Sequence, residues 1–116
     1  MWDKSNRLST SQPQHAYKQR LQQVCHQAGN KLVVVIFMDK NCGHCKRAMP
    51  EMEKLAQQYT LVIFVRIDVR ETPEFVSNFN ITAVPTFCFI KNESVADRIT
   101  GADKLTVEKR IQDLSN

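Results

Sequence analysis

Two cysteines spaced as Cys42-Gly-His-Cys45 follow a continuous apolar run, Leu32-Val-Val-Val-Ile-Phe-Met38, after only Asp39, Lys40 and Asn41. This junction constrains the chain more than any other feature. A run apolar at every position predicts a strand buried on both faces, and therefore a sheet covered by helices on each side. Behind the cysteines, Met49, Met52, Leu55, Ala56 and Tyr59 recur at helical spacing, with Pro50 interrupting. The pair thus stands where a buried strand gives way to a helix.

A Cys-x-x-Cys can be half of a zinc site, a short structural disulfide or a redox dithiol. Tetrahedral zinc needs two further ligands at chelating spacing. Neither a second such pair nor a His-x-x-x-His occurs, and adjacent Cys25 and His26 would diverge by about 100° on a helix. A bridge closing so short a loop constrains little of the unfolded chain. A helix start, in contrast, offers partial positive charge and unpaired N–H groups that favour a thiolate. Cys42 at that start is the expected nucleophile. Cys45, one turn further in and more buried, is the expected resolving thiol, so the two form a redox-active disulfide in turn. His44, when protonated, would favour the Cys42 thiolate further, with Lys46 and Arg47 adding positive charge; each also reads as a solvated side chain. Cys25 and Cys88 lie on apolar faces and are expected to be inert core thiols.

The 116 residues suffice for one domain. Residues 1–13 are polar and read as a flexible extension, in which Trp2 has no evident role, and 14–116 as a single domain. Leu21, Val24, Cys25 and Ala28 mark a helix over Tyr17–Ala28, ended by Gly29-Asn30. A second strand is expected over Leu61–Val69, then a short helix capped by Thr72, begun by Pro73 and burying Phe75, Val76 and Phe79. A third strand over Val84–Ile90, a turn over Lys91–Ser94 and a fourth strand over Val95–Thr100 follow. A last helix opened by Gly101-Ala102-Asp103 would bury Leu105, Val107, Ile111 and Leu114. The β-α-β start predicts parallel strands and the late tight turn an antiparallel hairpin. The class is α/β, a central mixed sheet flanked by helices on both faces. The net charge of +4 is scattered rather than clustered, which argues against nucleic acid. The longest apolar run is far below the roughly 20 residues of a membrane helix. The first twenty residues carry no stretch resembling a signal peptide. Cytoplasmic residence without membrane contact is therefore the expectation.

At this point the chain resembles the thioredoxin-like family. The similarity rests on the cysteine pair after a buried strand, Lys46 behind it, and Pro50 five residues beyond Cys45. It extends to Val84-Pro85-Thr86, to Arg98-Ile-Thr-Gly-Ala-Asp103 and to Gly29-Asn30-Lys31, so that it spans residues 17–114. The resemblance implies a thioredoxin fold and a cis Val84–Pro85 bond facing the dithiol. It also implies a substrate-contact rim of Asn41, Gly43, Val84, Pro85 and Gly101, with Val84's backbone pairing an extended target and Gly101 admitting its close approach. A first strand before the first helix is expected around His15–Tyr17. Three departures stand out. Ile36 occupies the position of the family's buried acid, with Asp39 as a distant substitute; Asn41 replaces the usual tryptophan; and the central Gly-His is that of protein disulfide isomerase domains.

The implied activity is protein-disulfide oxidoreduction by a monomer needing neither metal nor tightly bound organic cofactor. Its partners would be protein disulfides as substrates and a thioredoxin reductase or glutathione as electron donor. A reading from another class stays open, an adaptor that holds a partner on the Val84–Pro85 surface and whose dithiol is vestigial.

Overall fold

A computed structural model of the chain describes residues 14–101 and 103–115, and side chains from residue 19 onward apart from Phe75. The expected 1–13 extension, Trp2, Ala102 and the side chain of Phe75 lie outside the described residues. The elements run α1 (Gln14–Ala28), β1 (Val33–Met38), α2 (Gly43–Gln58), β2 (Ile63–Asp68), α3 (Pro73–Asn78), β3 (Thr86–Lys91), β4 (Ser94–Thr100) and α4 (Lys104–Leu114).

The sheet order is β2-β1-β3-β4, with β1 parallel to β2 and antiparallel to β3, and β3 antiparallel to β4. All six β1 residues are buried because the strand has a neighbour on each side and a helical layer on each face. The pleat sorts them. Val34, Ile36 and Met38 point to a core shared with Cys45, Met52 and Leu55 of α2 and Val107 and Ile111 of α4. Val33, Val35 and Phe37 point to the opposite core, against Leu21, Cys25 and Ala28 of α1. Val76 and Phe79, at and just beyond α3, pack there half-buried, the Phe79 ring 5.2 Å from that of Phe37. At roughly 25 cal/mol per Å2, each buried Val, Leu, Ile or Phe side chain contributes about 1.5–3 kcal/mol, so both layers are held chiefly by apolar burial.

Several expectations need correction. The stretch His15–Tyr17 is helical, continuous with α1; it holds no β-branched residue and reads naturally as the helix's first turns. Leu61 lies in the α2–β2 turn and is 74% exposed, so β2 begins two residues later. Val84 and Pro85 precede β3 rather than opening it. α4 begins at Lys104, and its N-cap is Asp103, accepting from the Leu105 N–H at 3.1 Å and the Thr106 hydroxyl at 2.7 Å. Leu105 is 75% exposed because it lies about 200° around the helix from Val107. Thr72 does hold the cap position of α3, its carbonyl accepting from Val76, yet its hydroxyl donates to the Asp68 carbonyl. The β3–β4 turn narrows to Asn92 and Glu93, both at positive φ, the geometry of a type I′ hairpin. Among the described residues no helix is long and apolar enough to cross a membrane.

Candidate functional site: a dithiol at the start of a helix

α2 begins beyond the carboxyl end of β1, where the parallel pair β1 and β2 ends. Cys42 is the N-cap of α2, with extended backbone (φ −85°, ψ 126°). Its carbonyl accepts from the Lys46 N–H at 3.0 Å, and its sulfur accepts from the Cys45 N–H at 3.3 Å. A sulfur here does what the oxygen of a capping Ser or Asp does elsewhere, which is to satisfy an orphan N–H of the first turn. Cys45, one turn on, points into the sheet-facing core and is fully buried, whereas Cys42 is half-exposed. Pro50 sits inside the helix and has no N–H to offer the Lys46 carbonyl.

The two thiols therefore differ. Cys42 is held below the ordinary thiol range, first by a hydrogen bond from the Cys45 side chain, then by the Cys45 and His44 backbone N–H groups; partial burial and the Asp39 charge oppose them. Burial pushes Cys45 up to about 11, assisted by the neighbouring Cys42 sulfur and resisted by a hydrogen bond from the Asp39 N–H. One sulfur is prepared to ionise and the other to keep its proton. Cys25 and Cys88 are buried thiols raised chiefly by desolvation, in line with an inert role. All four cysteines are unpaired thiols in this structure.

The loop before β3 completes the site. The Cys42 sulfur lies 4.0 Å from the Val84 carbonyl, within thiol hydrogen-bond reach, and the Val84–Pro85 bond is cis. Thr86 is buried and its hydroxyl donates to the Ala83 carbonyl at 2.6 Å, tying the loop to the base of β3. Gly101 donates its N–H to the Pro85 carbonyl at 2.9 Å, which joins the end of β4 to the same loop. Its φ of +111° suits glycine, and a Cβ there would meet nothing within 4 Å, so the surface beside Pro85 is open. Cys42, Cys45, Val84, Pro85 and Gly101 are thus brought together, with Asn41 and Gly43 exposed on the rim.

His44 and Lys46 are exposed beside the pair, but His44 acts differently from the expectation. It influences Cys42 through its backbone N–H, while its ring Nδ1 takes a 2.8 Å hydrogen bond from the Arg47 guanidinium. Two contributions escaped the sequence reading, the Arg47 contact and the reach of the Asp39 backbone to Cys45. The Asp39-Lys-Asn41 spacing of an Asx turn was the available signal for the latter.

A mixed four-stranded sheet with paired helical layers, carrying an asymmetric dithiol at a helix start opposite a cis-proline loop, defines a thioredoxin-fold dithiol protein. The family model described as Thioredoxin matches residues 10–113. Thioredoxin H2 of Arabidopsis thaliana is 40% identical over 85 residues, covering 73% of this chain and 64% of the relative. Thioredoxin 1 of Plasmodium falciparum is 39% identical over 83 residues, covering 72% of this chain and 80% of the relative. The crystal structure of thioredoxin NaTrxh from Nicotiana alata superposes with a TM-score of 0.82 at 33% identity, covering 94% of this chain and all of that one. The chain belongs to the thioredoxin family, whose members are disulfide oxidoreductases. It spans slightly less than two thirds of the length of the Arabidopsis relative.

Proposed function

We propose that the chain exchanges dithiol for disulfide with protein substrates through Cys42 and Cys45. The Cys42 thiolate attacks a target disulfide, forming a mixed disulfide and releasing one target thiolate. Cys45 then loses its proton and attacks the Cys42 sulfur. The mixed bond breaks, the second target thiolate leaves, and the chain's own disulfide carries away the two-electron oxidation. Val84 would pair its backbone with an extended target segment, and Asn41, Gly43, Pro85 and the open surface at Gly101 would complete the contact rim. Recharging falls to a thioredoxin reductase or to glutathione, and the chain would work as a monomer in the cytoplasm, serving cell redox homeostasis.

The observation that carries this reading is the asymmetry of the pair, a half-exposed capping sulfur favoured as thiolate beside a fully buried one held as thiol. A vestigial pair serving an adaptor has no need of it. The test is reduction of insulin disulfides with dithiothreitol as donor. Cys42→Ser should abolish the rate above background, and Cys45→Ser should accumulate a mixed disulfide visible on non-reducing gels. A wild type that reduces insulin no faster than the dithiothreitol background would hand the function to the adaptor reading.

A further inference from the structure

Ile36, on the core face of β1, is fully buried with Cys45, Met52 and Phe87 in the layer beneath the dithiol. The residue that does reach both sulfurs is Asp39, one position beyond β1. Its three polar groups are each committed. The side-chain Oδ1 accepts from the Asn41 N–H at 2.9 Å, closing an Asx turn. The carbonyl accepts from the Cys42 N–H at 2.9 Å. Its backbone N–H favours the Cys45 thiolate while its charge opposes it. One half-buried residue thus sets the path of the chain into the cap position and places a negative charge beside both sulfurs.

We propose that Asp39 is a positioning residue of the dithiol, whose Asx turn presents Cys42 as the cap of α2 and whose charge restrains the build-up of negative charge on Cys42. This deepens the oxidoreductase reading and rests on it for its use in catalysis. The surrounding charges leave that part to Asp39. Lys40 next to it is directed to Glu71, at 3.8 Å. On α2, Arg47 is bonded to the His44 ring and Lys46 is exposed. The loop before β3 brings the neutral Val84 carbonyl. The α2 N-terminus and its N–H groups pull Cys42 towards the thiolate, and Asp39 sets how far that pull goes. A pair so restrained is a weaker oxidant than its Cys-Gly-His-Cys spacing alone would make it, because stabilising the thiolate stabilises the reduced form.

Two substitutions separate the turn from the charge. Asp39→Asn keeps an Oδ1 acceptor for Asn41 and removes the charge, whereas Asp39→Ala removes both. The readouts are the pH profile of Cys42 alkylation by iodoacetamide, the reduction potential of the pair, and hydrogen exchange at the Asn41 amide. Asp39→Asn should alkylate about threefold faster than wild type at pH 6 and, at a pH where Cys42 is ionised, shift the potential upward by about 14 mV, the equivalent of that factor for a two-electron couple. Its Asn41 amide should stay protected. Asp39→Ala should lose that protection and part of the alkylation gain, since the cap is no longer held. Asp39→Asn titrating as wild type would overturn the charge role, and Asp39→Ala keeping Asn41 protected would overturn the turn. These readouts need no target protein, so failure of insulin reduction in the wild type would count against the oxidoreductase reading alone.

Discussion

Reducing the Cys42–Cys45 disulfide adds two electrons and as many protons as the two sulfurs retain, so the potential should report their inequality directly. Each proton taken up per two electrons gives about 30 mV per pH unit. In acid both sulfurs are protonated, and the potential should fall by about 59 mV per unit. Once Cys42 stays ionised, below the ordinary 9.0, only Cys45 takes a proton and the slope should halve. Cys45 keeps its proton to about 11. Between pH 9 and 11 the potential should therefore still fall by about 50 mV, since Cys45 is half ionised only at the top of that range. Two ordinary thiols at 9.0, already half ionised at its start, would give only about 18 mV over the same range. These are properties of the coupled pair, and the two breaks are its macroscopic constants. The assay is alkylation trapping in dithiothreitol buffers corrected for their own ionisation. A single break from two protons to none near pH 9 would refute the asymmetry and the division of roles drawn from it.

The same inequality bears on stability. Cys45 is an acid whose folded value is raised, so its contribution to the reduced protein is complete below the unfolded value near 9 and is lost as pH rises towards 11. The loss should approach 2.7 kcal/mol at most, about 1.36 per unit, in urea melts, and Cys45→Ser should remove it. Ile36→Asp should cost at least about 2–5 kcal/mol at pH 7, because it empties a fully buried site and leaves a carboxyl without a partner. That cost should grow as pH rises above about 4, where the unfolded chain releases the proton and the buried carboxyl keeps it; a loss below about 1 kcal/mol would mean the layer beneath the dithiol admits water. Asp103→Ala should destabilise the fold by about 1 kcal/mol through loss of the α4 cap, read as a lowered urea midpoint at unchanged slope.

Most of the architecture was legible because its signals are strong where burial is two-sided. The run 32–38 could only be a covered strand, and the helical spacing behind Cys45 and around Cys25 named the faces that now form two separate cores. The exposed apolar residues depart from that pattern because burial follows helical or strand phase and not residue type alone. Leu105 continues no stripe with Val107 and Ile111, and Leu61 sits in a turn ahead of the strand that follows. The site was legible in its cysteines and in Val84-Pro85, whose residue types admit few uses. The effect of His44 on Cys42 and of Asp39 on Cys45 was not, because both run through backbone N–H groups. Which N–H reaches a sulfur depends on the turn geometry of residues 39–44, and side-chain identity carries little information on that.

The raised value of Cys45 has causes that do not all survive the reaction. Burial is the largest, but the hydrogen bond with the Cys42 sulfur and the charge of that sulfur also hold the proton on. When Cys42 enters a mixed disulfide it loses its charge, and both of these effects weaken or disappear. Burial and the Asp39 charge then remain, still resisted by the Asp39 N–H. The covalent intermediate thus makes its own resolving thiol easier to ionise at the step where a thiolate is required, without an acid at position 36 to take the proton. Cys42→Ala imitates that state by deleting the neighbouring sulfur. Its Cys45, followed by thiolate absorbance at 240 nm, should titrate clearly below about 11 yet above the ordinary 9.0, since burial persists. An unchanged titration would mean that burial and the Asp39 charge hold the proton without Cys42, and that ionisation of Cys45 must be driven by the incoming target.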